Sequence, residues 1–233
     1  MNRKLRGIDA VFLHVPRTGG TWVLSALYTC RLRSTPWGVV EDRPTMPRAH
    51  RLPFFCVQET VPAALITFVR HPVAYYESVW KWIAFHDHAP TKARWTWHPF
   101  RRAIETYEKD GTFERWVRRI VEEESCWYTR MLEDYVGPAG AEYCDYIGRT
   151  KTLQRDFVAA VKDVGIELDP ARLAALDRLP LVNAVPAESF GDRLRWTDEL
   201  RELVLRNERV TVSRFFGPDT SDLRYYGRWI GRR

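Results

Sequence analysis

The chain has 233 residues, 45% of them hydrophobic and 28% charged, which is the composition of a folded protein and excludes a disordered or fibrous chain. That length predicts a single domain with one sizeable core. A net charge of +6 and a pI near 9.2 favour anionic partners, but the basic residues are spread along the chain and no nucleic-acid recognition motif is present, so nucleic acid is not an expected partner.

In chain order, the apolar run Ile8–Val15 reads as a buried strand. It ends in His14-Val-Pro-Arg-Thr-Gly-Gly-Thr-Trp22, after which Thr21–Tyr28 has apolar residues at helical spacing. A Gly-Gly turn between a strand and a helix lets successive backbone N–H groups face inward at the positive end of the helix dipole, which is a cradle for phosphate or sulfate. Arg17 adds a charged, forked donor, and the hydroxyls of Thr18 and Thr21 are further donors. No G-x-x-x-x-G-K-[ST] pattern runs through this loop.

Residues 31–53 are rich in Arg and Pro and read as an irregular connection. Phe54–Gln58 and Ala64–Val69 are the next strand candidates, and Pro72 stands where the first turn of a helix over Val73–Ile83 belongs. Arg70 follows the stronger strand at the carboxyl edge of the sheet, where open α/β sheets bind ligands. The aromatic and basic stretch Phe85–Phe100 is a candidate acceptor-contacting flap. Residues 103–109 and 112–136 read as helical, Cys144–Ile147 as a strand, 153–164 as a helix, 165–192 as a polar Pro-bounded connection, and Asp198–Arg214 as a last helix. Alternating strands and helices predict an α/β three-layer sandwich with a mainly parallel central sheet.

These segments resemble the sulfotransferase family that uses 3′-phosphoadenosine 5′-phosphosulfate, particularly its carbohydrate-modifying members. The family's 5′-phosphosulfate loop reads Pro-Lys-Thr/Ser-Gly-Gly/Thr-Thr-Trp after a strand, matched here by Pro16–Trp22 with Arg17 in the place of lysine. Its Arg-x-Pro with a serine eight residues on is matched by Arg70 and Ser78, and Tyr146–Phe157 echoes Ile-Gly-Arg-x-Glu-x-Leu-x-x-Asp-Phe with Lys151 for the glutamate. The resemblance implies a P-loop-like fold and the nucleotide as co-substrate, bound by Arg17, Thr18, Gly19, Gly20, Thr21, Trp22, Arg70 and Ser78. It assigns Arg17 to the phosphosulfate, Trp22 to the adenine, and Arg70 with Ser78 to the 3′-phosphate. It further implies transfer of a sulfuryl group to a hydroxyl or amine of a carbohydrate or small molecule.

Such a transfer needs charge on the leaving group stabilised and a base for the acceptor proton. Arg17 suits the first task. By the same resemblance, whose polysaccharide-modifying members carry a glutamate after the second strand, Glu59 is the candidate base, with His50 in reserve. No metal is expected: the four cysteines Cys30, Cys56, Cys126 and Cys144 are widely spaced, with no C-x-x-C pair, and fit free thiols in a reducing cytosol. No segment is apolar for long enough to cross a membrane, so the expectation is a cytoplasmic protein without a membrane partner. The competing readings are a nucleotide kinase or other phosphotransferase with a divergent phosphate loop, and a non-catalytic protein that binds nucleotide or nucleic acid.

Overall fold

A computed structural model describes residues 3–36, 64–86, 100–108, 111–136, 144–180 and 187–217. The candidate strand 54–58, the candidate base Glu59, its alternative His50 and most of the 85–100 flap lie outside the described residues. The chain divides into two compact units, one of Met1–Arg70, Leu132–Asn183 and Pro218–Arg233, the other of His71–Met131 and Ala184–Gly217.

The first unit is α/β. Strands β1 (Arg3–Leu5), β2 (Ala10–Phe12), β3 (Ser34–Pro36), β4 (Ala64–Val69) and β5 (Tyr146–Arg149) form one sheet in the order β3-β1-β2-β4-β5. β2, β4 and β5 are mutually parallel, whereas β1 runs antiparallel to both β2 and β3. The sheet is therefore mixed, with its parallel part formed by the apolar runs that the sequence marks as strands. Side-chain alternation sends Ala10, Phe12, Ile66, Phe68 and Tyr146 to one face. There they meet Trp22, Val23, Ala26 and Leu27 of helix α1 (Gly20–Thr29) and Leu153, Phe157, Ala160 and Val161 of a later helix over Leu153–Asp163. The opposite set, Val11, Leu65, Val69 and Ile147, is buried as well. Burial on both faces is why these strands read as continuous apolar runs.

The second unit is helical among its described residues. It contains α2 (Pro72–His86), α3 (Arg101–Glu105), α4 (Phe113–Glu123) and the first part of α5 (Trp127–Val136). Tyr75 stacks on Tyr128 at 3.7 Å and meets Trp127, which continues through Trp116 and Phe113 to Trp80, each at most 6% exposed. Several of the chain's ten tryptophans are thus core residues rather than ligand faces. The helix expected over 112–136 is broken at Cys126, whose φ is 57°.

In the first unit, β5 leads through a 3₁₀ turn (Thr150–Thr152) into α6 (Leu153–Asp163). The connection expected over 165–192 contains a helix, α7 (Pro170–Asp177), with Asp169 accepting a cap hydrogen bond from the Arg172 N–H at 2.8 Å and proline at its start. The expected last helix is two in the second unit, α8 (Asp198–Asn207) and α9 (Arg209–Phe216). Between them Glu208 is fully buried, and its carboxylate accepts hydrogen bonds from the Tyr76 hydroxyl at 2.7 Å, the Tyr128 and Thr129 N–H groups at 3.0 and 2.8 Å, and the Thr129 hydroxyl at 2.6 Å. The break places that carboxylate on the otherwise unsatisfied amides that open α5.

Candidate functional site: the loop between β2 and α1

The loop from Leu13 to Gly19 leaves the carboxyl end of β2 and enters α1 at Gly20. Its backbone alternates in hand: Arg17 has φ 63° and Gly19 φ 94°, while Thr18 between them and Gly20 after them do not have positive φ. A backbone of alternating hand aims consecutive N–H groups toward one point, the arrangement of an anion nest. The amides of Gly20, Thr21 and Trp22 open α1, where an α-helix leaves N–H groups without intrahelical partners and adds the positive end of its dipole. Gly19, at the N-cap, supplies no side-chain cap, and no acidic residue stands in this first turn.

Each glycine has a specific reason to be there. A Cβ on Gly19 would lie 2.7 Å from Leu153 Cδ2, besides the strain of its positive φ, and a Cβ on Gly20 would lie 2.2 Å from the His14 ring. The imidazole of His14 therefore packs directly over the start of α1. Thr18 is 2% exposed, and its hydroxyl donates to the Val15 carbonyl at 2.9 Å. It braces the loop, with its proton directed into the backbone rather than outward. Arg17 and Thr21 are half-buried.

The segment after β5 buttresses this loop. The Thr150 hydroxyl lies 3.1 Å from the Thr18 carbonyl and 3.0 Å from the Val69 carbonyl, so it joins the loop to the end of β4. Asp156 is 8% exposed and holds the turn, accepting the Arg149 N–H at 2.8 Å and the Thr152 hydroxyl at 2.7 Å. Gly148 is required because a Cβ there would meet the Phe68 ring at 2.5 Å. Phe157 meets Trp22 edge-on, with ring centroids 5.8 Å apart. The residues that carried the third sequence echo, Gly148, Leu153, Asp156 and Phe157, are thus the ones that seat this segment against the loop.

Trp22 is only 4% exposed and belongs to the core of the first unit. Its indole packs edge-on against Phe157 within that core. Arg70 is half-buried at the carboxyl end of β4. Arg149, which sequence reasoning did not single out, ends β5 in register with Val69. Three neighbouring parallel strands therefore deliver Arg17, Arg70 and Arg149 to the same edge of the sheet, where open α/β sheets take their ligands. Ser78 lies in α2, 8% exposed, in the second unit. Among the described residues no cluster of His, Cys, Asp or Glu is arranged to hold a metal ion, and no helix is long and apolar enough to cross a membrane.

A strand, a loop with two positive-φ residues and a helix start thus lie with the strand-end residues Arg70 and Arg149 at the carboxyl edge of an α/β unit. Comparison of the chain with protein-family models, with curated proteins and with solved structures finds no match.

Proposed function

We propose that the chain is a sulfotransferase with a P-loop-like, three-layer α/β architecture that uses 3′-phosphoadenosine 5′-phosphosulfate. The supporting observation is the pair of positive-φ residues Arg17 and Gly19 flanking Thr18 and leading into the start of α1, where Gly19 supplies no side-chain cap. In this reading the loop amides and Arg17 take the 5′-phosphosulfate, and Arg70 takes the 3′-phosphate. The assignment of Ser78 to that second phosphate rests on its eight-residue register with Arg70. Trp22 packs in the core instead of stacking on the base.

In the transfer, the bond from sulfur to the 5′-phosphate oxygen breaks and a bond from sulfur to the acceptor oxygen or nitrogen forms. The departing bisphosphate keeps the electron pair, and the acceptor proton passes to a base. Positioning and charge stabilisation supply most of the rate in such a step. Arg17 and the amides neutralise the leaving group as its charge develops. Glu59 is the proposed base and His50 its alternative, and the acceptor is proposed to be a carbohydrate or a small molecule.

A thermal-shift titration separates this reading from that of a phosphotransferase. 3′-Phosphoadenosine 5′-phosphate is expected to raise the melting temperature with no metal added, whereas ATP with magnesium is expected to do so weakly. Stabilisation by ATP and magnesium without any by the bisphosphate contradicts the proposal.

A further inference from the structure

We propose that the first unit carries a second anion-binding cleft, on the sheet edge opposite the phosphate loop, for a small ligand with two or more phosphate or sulfate groups. The cleft is a cavity of about 590 Å³ lined by Leu5, Arg6, Arg31, Arg33, Ile166 and Glu167 among others. That size lies within the range of small-molecule sites. α1 runs from the phosphate loop toward it, and ten residues at about 1.5 Å each separate the two places by about 15 Å. This cleft is therefore distinct from the loop and faces away from it.

Three elements build it. Arg6 sits in the turn between β1 and β2, Arg31 and Arg33 follow the end of α1, and Ile166 and Glu167 follow α6. The Arg6 N–H donates to the Arg33 carbonyl at 2.8 Å, and Leu5 pairs with Ser34 across β1 and β3, so the short antiparallel ladder holds the arginine-bearing segments side by side. Buried Leu5 and the partly buried Ile8, Leu32 and Ile166 form an apolar floor continuous with the core.

The charge balance is what points to a ligand. Three arginines line the cavity against one acidic residue, Glu167. Some arginines elsewhere sit against carboxylates, as in the pairs Arg101–Glu105, Arg118–Glu114 and Arg119–Glu108, while others such as Arg178 and Arg195 do not among the described residues. Among the described residues no such ion pair involves Arg6, Arg31 or Arg33. The negative end of the α1 dipole favours a cation at Arg31, but it does not account for Arg6, which arrives from a different element. Arg31 moreover has φ 54°, just past the helix end, where the backbone favours glycine. A guanidinium fork matches the oxygens of phosphate and sulfate in pairs, and the surplus of two positive charges matches a ligand with at least two such groups.

Isothermal titration at low ionic strength tests this in the full chain carrying Arg17→Ala, which removes the loop's own charge from the signal. The probes are inorganic pyrophosphate and, in a separate arm, a disulfated disaccharide. At least one is expected to bind, with affinity reduced tenfold or more by adding Arg6→Ala and Arg33→Ala and raised severalfold by adding Glu167→Gln. A preference between the arms identifies the ligand as a phosphate or a sulfated sugar. Because Glu167→Gln predicts tighter binding, a misfolded variant cannot mimic support. No binding of either probe, or affinity indifferent to the Arg6 and Arg33 changes, overturns the proposal whether or not the phosphate loop binds nucleotide.

Discussion

The hydroxyl of Thr150 stands within 3.1 Å of the carbonyl oxygen of Thr18, and the same hydroxyl is 3.0 Å from that of Val69. One side chain thus ties the β2–α1 loop to the carboxyl ends of β4 and β5. Thr150→Val keeps the shape and removes the donor. It is expected to cost about 1 kcal/mol of stability, the usual net worth of one hydrogen bond, measurable by urea denaturation. Bisphosphate affinity is expected to fall severalfold, because the loop then has to be ordered on binding.

Arg17 combines a charge with a left-handed backbone that costs a non-glycine residue about 1–2 kcal/mol. Arg17→Gly separates the two effects. Stability is expected to stay level or rise, while nucleotide affinity falls at least tenfold, since a charge-assisted hydrogen bond contributes about 1.5–3 kcal/mol. Arg17→Lys is expected to retain most of the binding. Parallel losses of stability and binding in Arg17→Gly would place Arg17 in the fold rather than the site.

At Gly19 the opposite substitution is informative. Gly19→Ala meets both the positive φ and Leu153, and is expected to destabilise the first unit by about 1–3 kcal/mol. Leu153→Ala in the same chain relieves the contact but not the backbone strain, so rescue by the double variant is expected to be partial. Complete rescue, read by thermal melting, would show that φ at Gly19 carries no cost.

Much of this site was legible in the sequence because its parts are local. The apolar runs of β2 and β4, the glycine pair and Pro72 each act within a few residues, so the strands, the loop and the helix starts could be read from spacing, whereas Arg70 was singled out by the family resemblance. What was not legible depends on distant partners. β1 and β3 are three residues each, Arg-Lys-Leu and Ser-Thr-Pro, without an apolar period, and are held by their pairing across the chain and by the Arg3 Nε donating to Ser34 Oγ. The roles of Thr150, Asp156 and Arg149 follow from the packing of β5 and its turn beside the loop, with Thr18 and Thr150 132 residues apart. Trp22 illustrates the converse: its position in the motif suggested a stacking face, but the helix stripe Trp22, Val23, Ala26 and Leu27 turns it into the core. α7 was signalled by Asp169-Pro170, a cap followed by a first-turn proline, within a stretch whose polarity read as a loop.

In the second unit, burial first and the Glu208 charge second push the Tyr76 phenol well above its usual value of 10.0. Below that value Tyr76 is protonated in both folded and unfolded chains and its contribution is fully present. As pH rises through it, the unfolded chain ionises while the folded one resists, so stability falls. Urea midpoints between about pH 8 and 11 are therefore expected to decline more steeply in the wild type than in Tyr76→Phe. At neutral pH Tyr76→Phe is expected to lose about 1–3 kcal/mol, because buried Glu208 is left one donor short. Equal slopes for the two proteins would remove Tyr76 from the alkaline transition.

The central claim is that the edge bearing the β2–α1 loop and Arg70 holds one nucleotide by two separate phosphates. Calorimetric titration of the wild type and of Arg70→Ala with 3′-phosphoadenosine 5′-phosphate and with adenosine 5′-phosphate tests it most directly. Arg70→Ala is expected to weaken the bisphosphate tenfold or more and to leave adenosine 5′-phosphate nearly unchanged. Equal losses for both ligands, or no preference of the wild type for the bisphosphate, would contradict it.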